Sequence, residues 1–109
     1  MTASRIEKIR SMLEVDPQDI FLRYSLAMEQ EKIGEFEASE TGFRELMQGA
    51  PPYVPAFFML AQHLAKRDRV NDSRTLLRDG IEQARKQDDA HAAGEMSEFL
   101  ASLGDAGEH

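Results

Sequence analysis

Residues 26–43 read LAMEQEKIGEFEASETGF, and 34 positions later residues 60–77 read LAQHLAKRDRVNDSRTLL. A fixed period of this length marks a chain that uses one supersecondary unit more than once. Extended in both directions, residues 20–53 lie over 54–87, with Leu26/Leu60, Ala27/Ala61, Lys32/Lys66, Ser39/Ser73, Thr41/Thr75, Arg44/Arg78 and Ala50/Ala84 identical. Apolar positions also correspond: Ile20/Val54, Tyr24/Phe58, Phe36/Val70, Phe43/Leu77 and Met47/Ile81.

Within each unit the apolar spacing is helical. Phe57, Leu60, Ala61 and Leu64 fall at i, i+3, i+4 and i+7, and after a break at Lys66-Arg67-Asp68-Arg69 a second stripe runs through Val70, Ser73, Leu77, Gly80, Ile81 and Ala84. Each unit is therefore predicted to be helix, short turn, helix. Gly34 and Asp68 occupy the matching turn position, where a backbone with φ > 0 is commonly required and glycine or aspartate tolerates it. Asp16-Pro17 and Ala50-Pro51-Pro52 end the helices before them, because proline restricts the residue that precedes it and lacks an N–H.

Two further helices flank the units. Residues 3–14 carry Ile6, Ile9 and Leu13 on one face and read as half a repeat. Residues 89–103 carry Ala92, Met96, Phe99, Leu100 and Leu103 on another and read as a capping helix, with Gln87-Asp88-Asp89 at its start. Residues 104–109 are expected to fray. The organisation is thus one domain, 1–109, in four parts: 3–14, 20–53 (repeat 1), 54–87 (repeat 2) and 89–103.

Composition narrows the function classes. The 109 residues are 41% hydrophobic, enough for one core, and 20 acidic against 13 basic side chains give a net charge of -7. That balance disfavours nucleic acid and anionic membranes, which need a basic surface. The absence of cysteine excludes disulfides, thiolate catalysis and sulfur-ligated zinc. No apolar run reaches signal-peptide or bilayer-spanning length, so a cytoplasmic location is expected. His63, His91 and His109 are scattered, the glycines form no phosphate loop, and no nucleophile sits in a recognisable catalytic order. Neither an enzyme, a metal, a cofactor nor a small-molecule substrate is expected.

The 34-residue hairpin with these small and large positions resembles the tetratricopeptide repeat. Phe57, Leu60, Ala61, Leu64, Ser73, Leu77 and Gly80 match its signature places in repeat 2, and Leu26, Ala27, Gly34, Ser39, Phe43, Leu46 and Pro51 match in repeat 1. Arg23 and Gln30 depart from it, standing where large apolar side chains are usual, and Leu22 and Ile33 are expected to supply that bulk. The resemblance implies an all-α, right-handed stack of antiparallel helical hairpins, a short α-solenoid with a C-terminal capping helix.

The function that follows is a non-enzymatic protein–protein interaction module. The first helix of repeat 1 has two apolar stripes, Leu22, Leu26 and Ile33, and Phe21, Tyr24 and Met28; the former is expected to face inward and the latter a partner. The family's concave groove maps onto Phe21, Tyr24, Met28, Glu31 and Lys32, then Pro55, Phe58, Gln62, Ala65 and Lys66. Tyr24 and Met28 stand where the chaperone-binding members carry a lysine and an asparagine, so an apolar peptide or amphipathic helix suits this groove better than a C-terminal carboxylate. The alternative is a homo-oligomer formed through the same face, or through an acidic ridge at Glu40 against a basic ridge at Arg74.

Small residues at Ala27, Ala61, Ser39, Ser73 and Gly80 are read as sites of close helix approach. Ala61→Leu is accordingly expected to cost about 1–3 kcal/mol by overpacking; a thermal melt unchanged from wild type would remove that packing scheme.

Overall fold

Helix boundaries follow local hydrogen-bond chemistry in a computed structural model that describes residues 4–104. Helix α1 (Arg5–Val15) opens with a capping box: the Ser4 hydroxyl accepts from the Glu7 backbone N–H, and the Glu7 carboxylate accepts from the Ser4 N–H. In α2 (Ile20–Lys32) the cap is Asp19, whose carboxylate accepts from the Leu22 N–H at 2.8 Å. Helix α3 spans Phe36–Met47. Helix α4 (Val54–Lys66) carries Pro55 in its first turn, where a missing N–H leaves nothing unsatisfied. Helix α5 spans Val70–Lys86, and α6 (Ala90–Leu103) is capped by Asp89, which accepts from the Ala92 N–H at 3.1 Å. The described residues contain these six helices and no strand, the all-α class expected from the periodicity. Of the expected half-repeat helix, residue 3 lies outside the described residues, as do residues 105–109 of the expected frayed end.

Three turns are closed the same way. Gly34, Asp68 and Asp88 have φ of 84°, 62° and 59°, and the next residue's N–H reaches back to a helix carbonyl: Glu35 to Gln30, Arg69 to Leu64 and Asp89 to Ala84, at 2.8, 2.9 and 2.8 Å. Positive φ at Gly34 and Asp68 was expected; the third instance, at Asp88, has the same geometry.

The chain divides into two compact units, Met1–Gly49 and Ala50–His109. In the first, α2 and α3 form a hairpin and α1 packs on α2. The Ser39 hydroxyl donates to the Ala27 carbonyl across the hairpin at 2.6 Å, both residues being buried. Tyr24 meets Phe43 edge to face at 5.7 Å. The off-pattern packing expected here is not what occurs. Ile33 is 56% exposed, whereas Gln30 is buried and Arg23 reaches Glu45 at 3.5 Å, so the two polar residues keep the positions the repeat assigns to bulky ones.

In the second unit α4 and α5 form the equivalent hairpin. Ser73 donates to the Ala61 carbonyl at 2.7 Å, and α6 packs on α5 and touches α4. The core is apolar throughout α4, where Val54, Ala56, Phe57, Leu60, Ala61 and Leu64 are all buried. Gly80 on α5 is required by closeness: a Cβ there would stand 2.7 Å from the Phe57 Cβ and 2.6 Å from the Met96 sulfur. Gly94 on α6 faces open space.

The two glycines should respond oppositely to the same methyl group. Gly80→Ala is expected to destabilise by about 1–3 kcal/mol through overpacking. Gly94→Ala is expected to stabilise by about 0.5–1 kcal/mol through helix propensity. Denaturant melts of both variants provide the check, and equal effects would contradict the packing at Gly80.

Candidate functional site

The ten groove residues expected from the sequence divide between the two units, five on α2 and five on α4. On α2, Phe21 is 69% exposed and Lys32 is exposed and paired with Glu29 at 3.0 Å, while Met28 and Glu31 are half-buried. Tyr24 is half-buried because its ring packs on Phe43, so α2 does not present Phe21, Tyr24 and Met28 as one free stripe. On α4, Pro55 and Lys66 are exposed, Gln62 and Ala65 are half-buried, and Phe58 is half-buried against Phe99 of α6 at 5.8 Å. The capping helix thus takes part of the face that Phe58 would have offered.

The large apolar side chains that reach solvent are elsewhere. Among the described residues they are Met12, Val15, Ile20, Phe21, Ile33 and Phe36, all in the first unit. They gather at the two ends of α2. At one end Met12 and Phe21, with buried Ile9 and half-buried Leu22, line a cleft of about 200 Å³ between α1 and α2, rimmed by Arg5 and Lys8. Val15 and Ile20 flank the adjoining turn. At the other end Ile33 and Phe36 stand beside a shallow hollow lined by Gly34, Glu35, Phe36, Glu37 and Ala38. Arg5 is held by Glu29 at 3.3 Å and Glu35 by Arg10 at 3.8 Å. Among the described residues neither Lys8 nor Glu37 has an ion-pair partner.

Only Phe21 of this set was singled out as a contact residue from the sequence. Met12 and Val15 had a signal, since both are apolar yet lie off the Ile6, Ile9, Leu13 stripe of α1. A second cleft, in the second unit, is lined by Phe58, Phe99, Glu95, Glu98 and Ser102, and His91 pairs with Glu95 at 3.1 Å beside it. No group of three His, Cys, Asp or Glu side chains among the described residues is placed to hold a metal ion.

Arg74 takes no part in the expected basic ridge, while Arg78 and Arg85 of the same helix are exposed. Arg74 is 3% exposed, and its guanidinium donates to the Gly104 and Leu103 carbonyls and to the Asn71 side chain, closing the C-terminus of α6. Glu40 is engaged within its own helix, by Arg44 at 3.0 Å. Both side chains of the expected Glu40–Arg74 contact are thus engaged within their own units.

No protein-family model and no curated protein matches the sequence. A solved structure is similar: the solution structure of protein BPP2914 from Bordetella parapertussis, a structural-genomics target, aligns with a TM-score of 0.80 at 22% identity, covering 96% of this chain and 93% of that one. At that identity the likeness establishes a shared fold. No helix of the described residues is long and apolar enough to cross a membrane.

Because Arg74 satisfies carbonyls thirty residues away, its loss should loosen α6. Arg74→Met is expected to destabilise by about 1.5–3 kcal/mol, the range for hydrogen bonds to a charged group. Amide exchange should accelerate first in residues 96–103; protection unchanged there would contradict the clamp.

Proposed function

We propose that this protein is a non-enzymatic, cytoplasmic interaction module of tetratricopeptide-like hairpins that docks another polypeptide on an apolar surface. The observation that carries the reading is the concentration of exposed large apolar side chains on the first unit, around a cleft between α1 and α2. Soluble domains scatter such residues singly, and a gathered patch with a charged rim is the usual form of a docking surface. Met12 brings an adaptable side chain and Phe21 a rigid anchor, a combination suited to an extended apolar peptide or the apolar face of a helix.

The surface differs from the groove expected at the outset, with Phe21 common to both. Tyr24 and Phe58 have packing duties inside their own units, so the working face shifts toward α1. Two short helices offer a limited contact, and affinity for one linear peptide should lie on the order of micromolar.

Panning a displayed library of random peptides on the full chain tests this directly. Peptides with aromatic or aliphatic anchors should be selected, and Phe21→Ser should weaken them about tenfold, the effect of one lost anchor. A library yielding no binder, or binders indifferent to Phe21→Ser and Met12→Ser, would discard the surface.

A further inference from the structure

One period of 34 residues carries α1 onto α3, and two carry it onto α5. Arg5 then corresponds to Ser39 and Ser73, Lys8 to Gly42 and Leu76, Ile9 to Phe43 and Leu77, and Met12 to Leu46 and Gly80. In α3 and α5 these places belong to the face that meets the first helix of the same hairpin. Ser39 and Ser73 bond the Ala27 and Ala61 carbonyls, a Cβ on Gly42 would stand 3.3 Å from the Ala27 Cβ, and Gly80 lies against Phe57. Phe43, Leu46, Leu76 and Leu77 are buried there. On α1 Ile9 is buried likewise, but Arg5, Lys8 and Met12 are exposed, and all four line the cleft. Helix α1 packs on α2 as α5 packs on α6, yet α5 is also covered by α4, and among the described residues α1 has no such helix.

We propose that the α1–α2 cleft receives an amphipathic α-helix of another polypeptide, lying along α1 as α4 lies along α5, with an apolar side chain against Met12 and a carboxylate one turn further on between Lys8 and Arg5. This rests on reading the cleft as a docking site and adds what docks there. The register follows from the two hairpins. Phe57 meets Gly80, and Ala61, four residues later, meets Ser73, so a helix running the same way with residue i beside Met12 has residue i+4 beside Arg5. Ala27 adjoins both Ser39 and Gly42, which places i+4 between Arg5 and Lys8. Two cations at the place where α2 and α4 supply an alanine call for an acid on the incoming helix. Arg5 is shared with Glu29, and Lys8 has no ion-pair partner among the described residues. The cleft has no acidic lining residue on a chain with 20 acidic and 13 basic side chains, whereas the hollow after α2 is lined by Glu35 and Glu37 and the cleft beside Phe99 by Glu95 and Glu98. Because Arg5 stands where the hairpins have serine, the incoming helix cannot close to a hydroxyl–carbonyl contact and is held by apolar contact and the ion pair.

The probe is a displayed library of helical peptides of about 16 residues, long enough for appreciable helicity, with positions i, i+3, i+4 and i+7 of one face randomised. It is panned on the full wild-type chain and on Lys8→Glu, a change at an exposed position that is first checked for an unchanged circular-dichroism melt. Wild type should select aromatic or aliphatic side chains at i and Asp or Glu at i+4. On Lys8→Glu the acidic preference should disappear, and the wild-type winners should bind about tenfold more weakly for the lost charge contact. A proline in the middle of a winner breaks its helix and should weaken binding at least about tenfold. Winners without a carboxylate at i+4, winners with equal affinity for both chains, or winners indifferent to the proline would each overturn the proposal. If random peptides bind through Phe21 while the helical library yields nothing, the helix is overturned and the docking surface stands; if neither library binds, both fall.

Discussion

A serine hydroxyl donating to an alanine carbonyl across a helix pair sets the dimensions of both hairpins. Ser39 reaches Ala27 at 2.6 Å and Ser73 reaches Ala61 at 2.7 Å, and all four residues are buried. A bond that short requires the backbones to approach closely, which only small side chains at the crossing permit. It also fixes the turn. Seven residues lead from the alanine to the left-handed residue at 34 or 68, and five lead on to the serine. A longer or shorter connection would carry the hydroxyl past its acceptor, leaving a buried polar group unsatisfied at a cost of about 1–3 kcal/mol. The 34-residue period is therefore the spacing at which this crossing recurs.

The same skeleton is filled differently in the two units. In the second, α4 buries six apolar residues, and α6 adds Ala93 and Met96 against α5. In the first, α2 buries only Ala27 and Gln30, and Arg23, paired with Glu45, stands where the other hairpin has the buried Phe57. Exposed ion pairs contribute little, about 0–1 kcal/mol, so the first hairpin is the less firmly held. Its unused apolar residues lie outside, at the two ends of α2. Beside its own buried Ile9, Ala27, Phe43 and Leu46, the first unit thus directs several large apolar side chains outward, as the second does not among the described residues.

Much of this was readable in the sequence because helical periodicity and turn chemistry are local. The hairpins, the proline stops, and the turns at Gly34 and Asp68 depend on residues within a few positions of one another. What was not readable depends on distant partners. Phe21 and Tyr24 are one turn apart and chemically alike, yet one is exposed and the other packs on Phe43, a residue of the next helix. Arg74 had every mark of a surface charge, and its burial is decided by where α6 ends, thirty residues on. Ile33 and Gln30 exchanged expected roles for a related reason: the repeat geometry fixes which positions face inward, and the residue present has to comply. Periodicity identifies the stripes of a helix; only packing identifies which of them is covered.

Charge places a further condition on any use of the exposed apolar face. A chain with net charge -7 repels acidic partners and its own copies at long range, but at physiological ionic strength that field decays over about 8 Å. Burial of apolar area does not decay with salt, so at contact the outcome passes to the few charges adjoining the patch. Arg5 and Arg10 pair with Glu29 and Glu35. Lys8 lines the cleft with Arg5 and, among the described residues, has no ion-pair partner. Affinity for a polypeptide docked on this surface would come from its apolar residues, and the basic side chains of Arg5 and Lys8 on its rim would favour acidic flanks in that polypeptide.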